Sequence, residues 1–138
     1  MRLKLLAHTP DVETLIAVSM LTTTSGAKPS TLYQRLKAKP GKVSEVVGRA
    51  ETQHGNILEH NRFTWLVEAS ESEVLAVLEN SRFINTTRLG EGRWVLSCNL
   101  RAAVEYSKLH GDEFSRLVAE SIVGVEPGLR RFFKGVMG

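Results

Sequence analysis

The chain has 138 residues, 42% hydrophobic and 24% charged, which predicts one compact domain and excludes a disordered or fibrous protein. Its net charge of +3 is a mild excess: Lys and Arg are dispersed along the sequence, only Arg130 and Arg131 are adjacent, and aromatic residues are few, so nucleic acid is not an expected partner. No apolar run reaches the roughly 20 residues that span a bilayer, and the basic N-terminus is followed by too short an apolar run for a signal peptide. Cys98 is the single cysteine, which leaves no internal disulfide and no cysteine-cluster metal site; the expected location is cytoplasmic.

Leu3–Ala7 alternates in part and is stopped by Thr9-Pro10, which predicts a short strand. From Asp11 to Leu21 the apolar residues Val12, Leu15, Ile16, Val18 and Leu21 recur at helical spacing, and Asp11 and Glu13 suit the first turn. The polar, breaker-rich stretch from Thr22 to Pro29 reads as a loop. Ser30 is a candidate cap for a short helix over Leu32, Tyr33 and Leu36, ended by Pro40-Gly41. A further helix is expected from Val43 to His54, with Val43, Val46, Val47 and Ala50 inward.

The period then changes. Phe63–Val67 is aromatic and β-branched and predicts a strand. Ser70 and Glu73 fit a capping box before a helix that buries Val74, Leu75, Val77 and Leu78. Polar and turn residues dominate Asn80–Gly92, Trp94–Leu96 is a candidate strand, and Asn99 can cap a helix running to about Leu109. His110-Gly111 breaks that helix, Asp112 starts another through roughly Val123, and a short amphipathic piece ends at Phe132-Phe133. The pattern is α+β, a small, mostly antiparallel sheet with packed helices in a single domain over residues 1–138.

The first residues that suggest chemistry are His54, Glu59 and His60. Metal ligands on one helical face recur three or four residues apart, whereas His54 and His60 are six apart, so no metal site is expected. His54 suits a helix C-terminus, and Glu59 and His60 suit polar contacts. Asn99 by itself is a helix N-cap, and Arg101 a solvated first-turn arginine. Cys98 lies in an apolar strand, where a buried free thiol outweighs a nucleophile. No catalytic residue is assigned.

The order His54-x-Asn56-x-Leu58-Glu59-His60-x-x-Phe63-Thr64-Trp65 resembles the GHxSxLEHxxFTF segment of the flavin-dependent thymidylate synthases, the ThyX family. Gln53 replaces the family glycine, Asn56 the small hydroxyl residue and Trp65 a phenylalanine. Leu5–Pro10 followed by a helix is similar to family N-termini, and Trp94–Arg101 is similar to the family strand that ends in Asn-Ala-Arg. The resemblance implies a compact α+β fold, homotetramers and active sites shared between subunits. It also implies FAD and dUMP, with methylenetetrahydrofolate and NADPH entering only if the protein is catalytic. By the motif match, His54, Asn56, Asn99 and Arg101 take flavin-contacting positions, and guanidinium and amide groups suit pyrophosphate and ring edges.

The departures concern the nucleotide. The family signature RHRxxSxNExSxRY opens where this chain has Glu79-Asn80-Ser81, and a glutamate there repels a phosphate. Arg88 or Arg93 stands as the candidate for the signature's late arginine. The arginine that holds dUMP in the family falls on His110, a weaker, pH-dependent cation. A long helical section between the signature and the Asn-x-Arg strand is missing. The expectation is a divergent family member that binds flavin, a dUMP-like nucleotide or both, with thymidylate synthesis impaired or absent. The alternative is a non-catalytic oligomeric interaction or regulatory paralogue that binds no flavin.

Overall fold

The computed structural model describes residues 1–22, 25–49 and 56–137. Strand β1 (Arg2–His8) leads into helices α1 (Val12–Thr22), α2 (Pro29–Lys37) and α3 (Pro40–Arg49). A 3₁₀ turn (Asn56–Leu58) precedes β2 (Arg62–Glu68), α4 (Glu71–Asn80), β3 (Asn85–Gly90) and β4 (Arg93–Asn99). Helices α5 (Leu100–His110) and α6 (Glu113–Val125), a second 3₁₀ segment (Pro127–Phe133) and α7 (Lys134–Met137) complete the described chain. The class is α+β, as expected.

The four strands form one antiparallel sheet in the order β1-β2-β4-β3. Alternation sorts the two faces. Phe63, Trp65 and Val67 of β2 and Trp94, Leu96 and Cys98 of β4 are buried, while Arg62, Glu68 and Arg93 point to water from the opposite face. Both tryptophans place their polar edge: Trp65 Nε1 donates to Ser121 Oγ on α6 at 2.8 Å, and Trp94 Nε1 donates to the Ala69 carbonyl at 3.1 Å. Trp65 and Phe63 are the two largest fully buried side chains of the core.

Local signals fix several helix starts. Ser70 accepts from Glu73 N–H at 3.2 Å while Glu73 Oε1 accepts from Ser70 N–H at 3.0 Å, a complete capping box. Asn99 Oδ1 accepts from Ala102 N–H at 2.8 Å and Asp112 Oδ1 from Ser115 N–H at 2.9 Å. Gly111 adopts φ 57°, the left-handed C-terminal position that spares a Cβ clash, so α5 runs through His110 before it stops.

Other boundaries differ from the sequence reading. α2 is capped at Lys28 rather than Ser30, because Pro29 with its fixed φ takes the first helical position. Pro40-Gly41 opens α3 for the same reason instead of closing α2. Asn85–Gly90, read as turn residues, is an edge strand. It is mostly exposed and owes its form to the ladder with β4, so burial left no alternation to see. The predicted end of the third helix, with Ala50 and His54, lies outside the described residues.

Candidate functional site

The site is built where β2 begins and β4 ends. These strands are antiparallel neighbours, and the register sets Arg62 opposite Asn99. The turn entering β2 therefore sits against the helix leaving β4. Leu100 N–H donates to the Asn61 carbonyl at 2.7 Å, locking turn and helix together. Leu58, 1% exposed, anchors the turn in the core, and its neighbours leave on different sides.

On one side Glu59 Oε1 accepts from Arg101 Nη1 at 2.7 Å, and Glu105 Oε1 accepts from Arg101 Nε at 3.0 Å. With Phe83, Asn99 and Ala102 these residues line a cleft of about 140 Å³. Two carboxylates facing one guanidinium leave this cleft net negative. They raise the Arg101 pKa, Glu105 contributing most, so the guanidinium is fixed in its charged form. Asn99 spends its side-chain oxygen on the helix cap and lines the cleft as well.

On the other side lies a larger cavity of about 470 Å³, walled by Leu15, Val18, Pro29 and Ile57, with Asn56 and His60 at its rim. The hydroxyls of Ser19 and Thr22 also line it but donate to the carbonyls of Leu15 and Val18 at 2.9 and 2.7 Å. Ser19 and Thr22 have thereby spent their donors and keep acceptor capacity only, whereas Asn56 and His60 are the described lining residues with donors to offer a ligand.

Of the flavin-contact positions, Asn99 and Arg101 share the small cleft, Asn56 lines the large one, and His54 lies outside the described residues. The nucleotide candidates stand apart. Arg93 begins β4 and Asn99 ends it, a separation of roughly 20 Å along the strand. Arg88 lies 5.2 Å over the Trp94 ring and 3.9 Å from the Glu71 carboxylate. His110, at the far end of α5, is about 15 Å of helix beyond Asn99, with its ring 4.6 Å from that of Tyr106. Tyr106 in turn donates to Asp112 Oδ2 at 2.8 Å. One subunit therefore does not bring Arg88, Arg93 and His110 to the Arg101 cleft.

Three residues gain importance from the structure. Glu105 was visible at the i+4 position from Arg101. Phe83, 58% exposed, lines the cleft, and nothing in its local sequence marks it. Asn61 is fully buried with neither side-chain polar atom bonded, a costly arrangement that no pattern announces. Among the described residues no group of His, Cys, Asp and Glu is placed to hold a metal, and no helix is long and apolar enough to cross a membrane. Compared with protein-family models, curated proteins and solved structures, the chain returns no match.

Proposed function

We propose that this chain is a divergent relative of the flavin-dependent thymidylate synthases that binds a flavin, a dUMP-like pyrimidine nucleotide or both, with thymidylate synthesis impaired or absent. One observation carries the reading. The two segments of the resemblance, remote in sequence, meet through the Leu100–Asn61 hydrogen bond at 2.7 Å and the Arg101–Glu59 pair at 2.7 Å. The contact makes the two segments neighbours, with Asn99 and Arg101 in a cleft on one side of the turn and Asn56 in a cavity on the other.

The fit to FAD divides between its parts. A cavity of about 470 Å³ lined mainly by apolar surface, with the Asn56 amide and the His60 ring among its lining, suits a planar ring system of the isoalloxazine kind. The diphosphate fits poorly, because Arg101 is held by Glu59 and Glu105 and a further anion meets net negative charge. What the chain's own residues do in this reading is bind: Asn56 and His60 offer hydrogen bonds to ring edges in the large cavity, and Asn99 offers its amide in the small cleft.

Loss of fixed positive charge argues against full chemistry. Glu79-Asn80-Ser81 replaces the signature's cations, and a transition state stabilised by preorganised charge loses rate steeply without it. With Arg88, Arg93 and His110 remote from the cleft, this reading needs a second subunit to complete the nucleotide site. The proposal includes a homo-oligomer and a cytoplasmic location, the latter supported by the single cysteine.

The compensated Arg101 favours a second reading, a non-catalytic interaction or regulatory paralogue that binds no flavin. Titration with FAD, followed by flavin fluorescence and visible absorption, separates the two. The flavin form of the first reading requires saturable binding at tens of micromolar that weakens in Asn56→Ala, its nucleotide form requires the same of dUMP, and the second reading requires no flavin binding. Tritium release from labelled dUMP then tests for residual chemistry.

A further inference from the structure

Basic residues that look scattered in the sequence are gathered by the fold. Residues 28–49, which build α2 and α3, contain Lys28, Arg35, Lys37, Lys39, Lys42 and Arg49 but one acid, Glu45. Residues 127–137 add Arg130, Arg131 and Lys134 and no acid. These two stretches hold half of the 18 basic residues and one of the 15 acidic residues, so the remainder of the chain is net negative. They are joined in space. α2 packs on α3, and Arg131 Nη1 donates to the Ser44 carbonyl at 3.4 Å and passes beside Gly48, where a Cβ would lie 3.0 Å from it.

The local helix chemistry adds to the positive potential. Neither α2 nor α3 has an acidic residue in its first turn. Lys28 occupies the N-cap of α2 without a side-chain cap bond, and Lys39 directly precedes α3. Each places a cation at the positive end of a helix dipole, an arrangement that disfavours the isolated fold and favours an approaching anion.

The neighbouring carboxylates offset part of this charge and leave an excess of cations. Asp11 is drawn inward, accepting from Tyr33 and facing Lys37 at 3.7 Å, and Glu13 and Glu126 are half-buried. Glu45 is shared between Lys42 at 3.7 Å and Arg49 at 3.1 Å. The cations Lys28, Arg35, Lys39 and Lys42 are exposed.

What the surface lacks identifies its partner. Leu32, Leu36, Val43, Val46 and Val47 all face the core, and the large exposed apolar residues among those described lie on other elements. An apolar wedge for a lipid surface and an exposed aromatic ring for stacking on unpaired bases are both missing from the described part of this face. Charge alone remains, and repeated phosphates are the partner that charge alone recognises. We infer that α2, α3 and the Pro127–Phe133 segment form a docking surface for the phosphate backbone of duplex nucleic acid, bound without regard to base sequence.

The test is fluorescence anisotropy of a labelled 20-base-pair duplex of arbitrary sequence. At 50 mM salt we expect binding on the order of 10 μM, with a log–log salt slope of about −3 to −5. The charge-reversal variant Lys28→Glu/Lys39→Glu/Lys42→Glu should lose at least tenfold in affinity. Lys28→Gln/Lys39→Gln/Lys42→Gln should lose less and flatten the slope by about 2 to 3. The remote, exposed Arg116→Glu should bind as wild type. No binding at tens of micromolar, a salt-independent affinity, or equal loss in Arg116→Glu would overturn the inference. So would capture by phosphatidylserine vesicles at a salt concentration where the duplex is released.

Discussion

Glu59 and Arg101 meet at 2.7 Å although 42 residues separate them in sequence. The contact exists because β2 and β4 run side by side and the end of one faces the start of the other. It also sets the character of the cleft, since Glu105 takes the same guanidinium from the helix side. The Arg101 guanidinium is already satisfied by two carboxylates before any anion approaches it.

Removing the two competing charges should therefore release it. Glu59→Gln/Glu105→Gln is expected to tighten binding of dUMP or FAD by roughly fivefold at low salt. The gain should shrink as salt is added, because the cleft is solvent-screened. The pair is half-exposed, so the melting temperature should hardly move. Unchanged affinity measured by titration calorimetry would show that neither ligand approaches Arg101.

Trp65 tests the core beneath the site. It is fully buried, and its indole N–H is bonded to Ser121. Trp65→Ala should cost about 3–5 kcal/mol in urea unfolding, from the cavity and the lost bond together. Trp65→Phe should cost clearly less, because most of the apolar volume remains.

Cys98 should be chemically silent. It is 1% exposed, and burial pushes its thiol pKa up to about 12, with Arg62 only partly opposing. The thiolate is the reactive form, so a disulfide reagent should modify the native protein only as fast as it opens. Cys98→Ser should bind flavin as the wild type does. Rapid stoichiometric labelling at neutral pH would contradict this placement.

Glu126 gives a pH dependence of defined sign. Burial, followed by the nearby Glu13 carboxylate, raises its pKa above the ordinary glutamate value, Asp11 adds to this, and His8 opposes it. A raised folded-state pKa stabilises the fold below the unfolded value, and that contribution is lost as pH rises through the folded one. Glu126→Gln should accordingly melt higher than wild type at pH 7. The difference should vanish near pH 4, as thermal scans across that range would show.

The parts of the fold legible in the sequence are those decided within a few residues. Ser70 and Glu73 cap one helix reciprocally, Asn99 caps another, and Gly111 ends it, each through contacts its own neighbours supply. Pro29 and Pro40 are ambiguous in the sequence, since proline both ends one element and opens the next. Strand β3 was hidden because Thr87, Arg88 and Leu89 gain their conformation from β4 rather than from burial. The site divides in the same way. Asn56, Asn99 and Arg101 were named from a motif, but the neutralisation of Arg101 by Glu59 depends on strand order, which no local pattern encodes.

The most direct measurement is FAD binding by the purified, full chain, read from flavin fluorescence and from the visible absorption band. We predict saturable binding at tens of micromolar, weakened in Asn56→Ala and strengthened in Glu59→Gln/Glu105→Gln. No spectral change and no affinity at those concentrations would contradict the flavin reading, and the same result with dUMP would leave the protein as an interaction module.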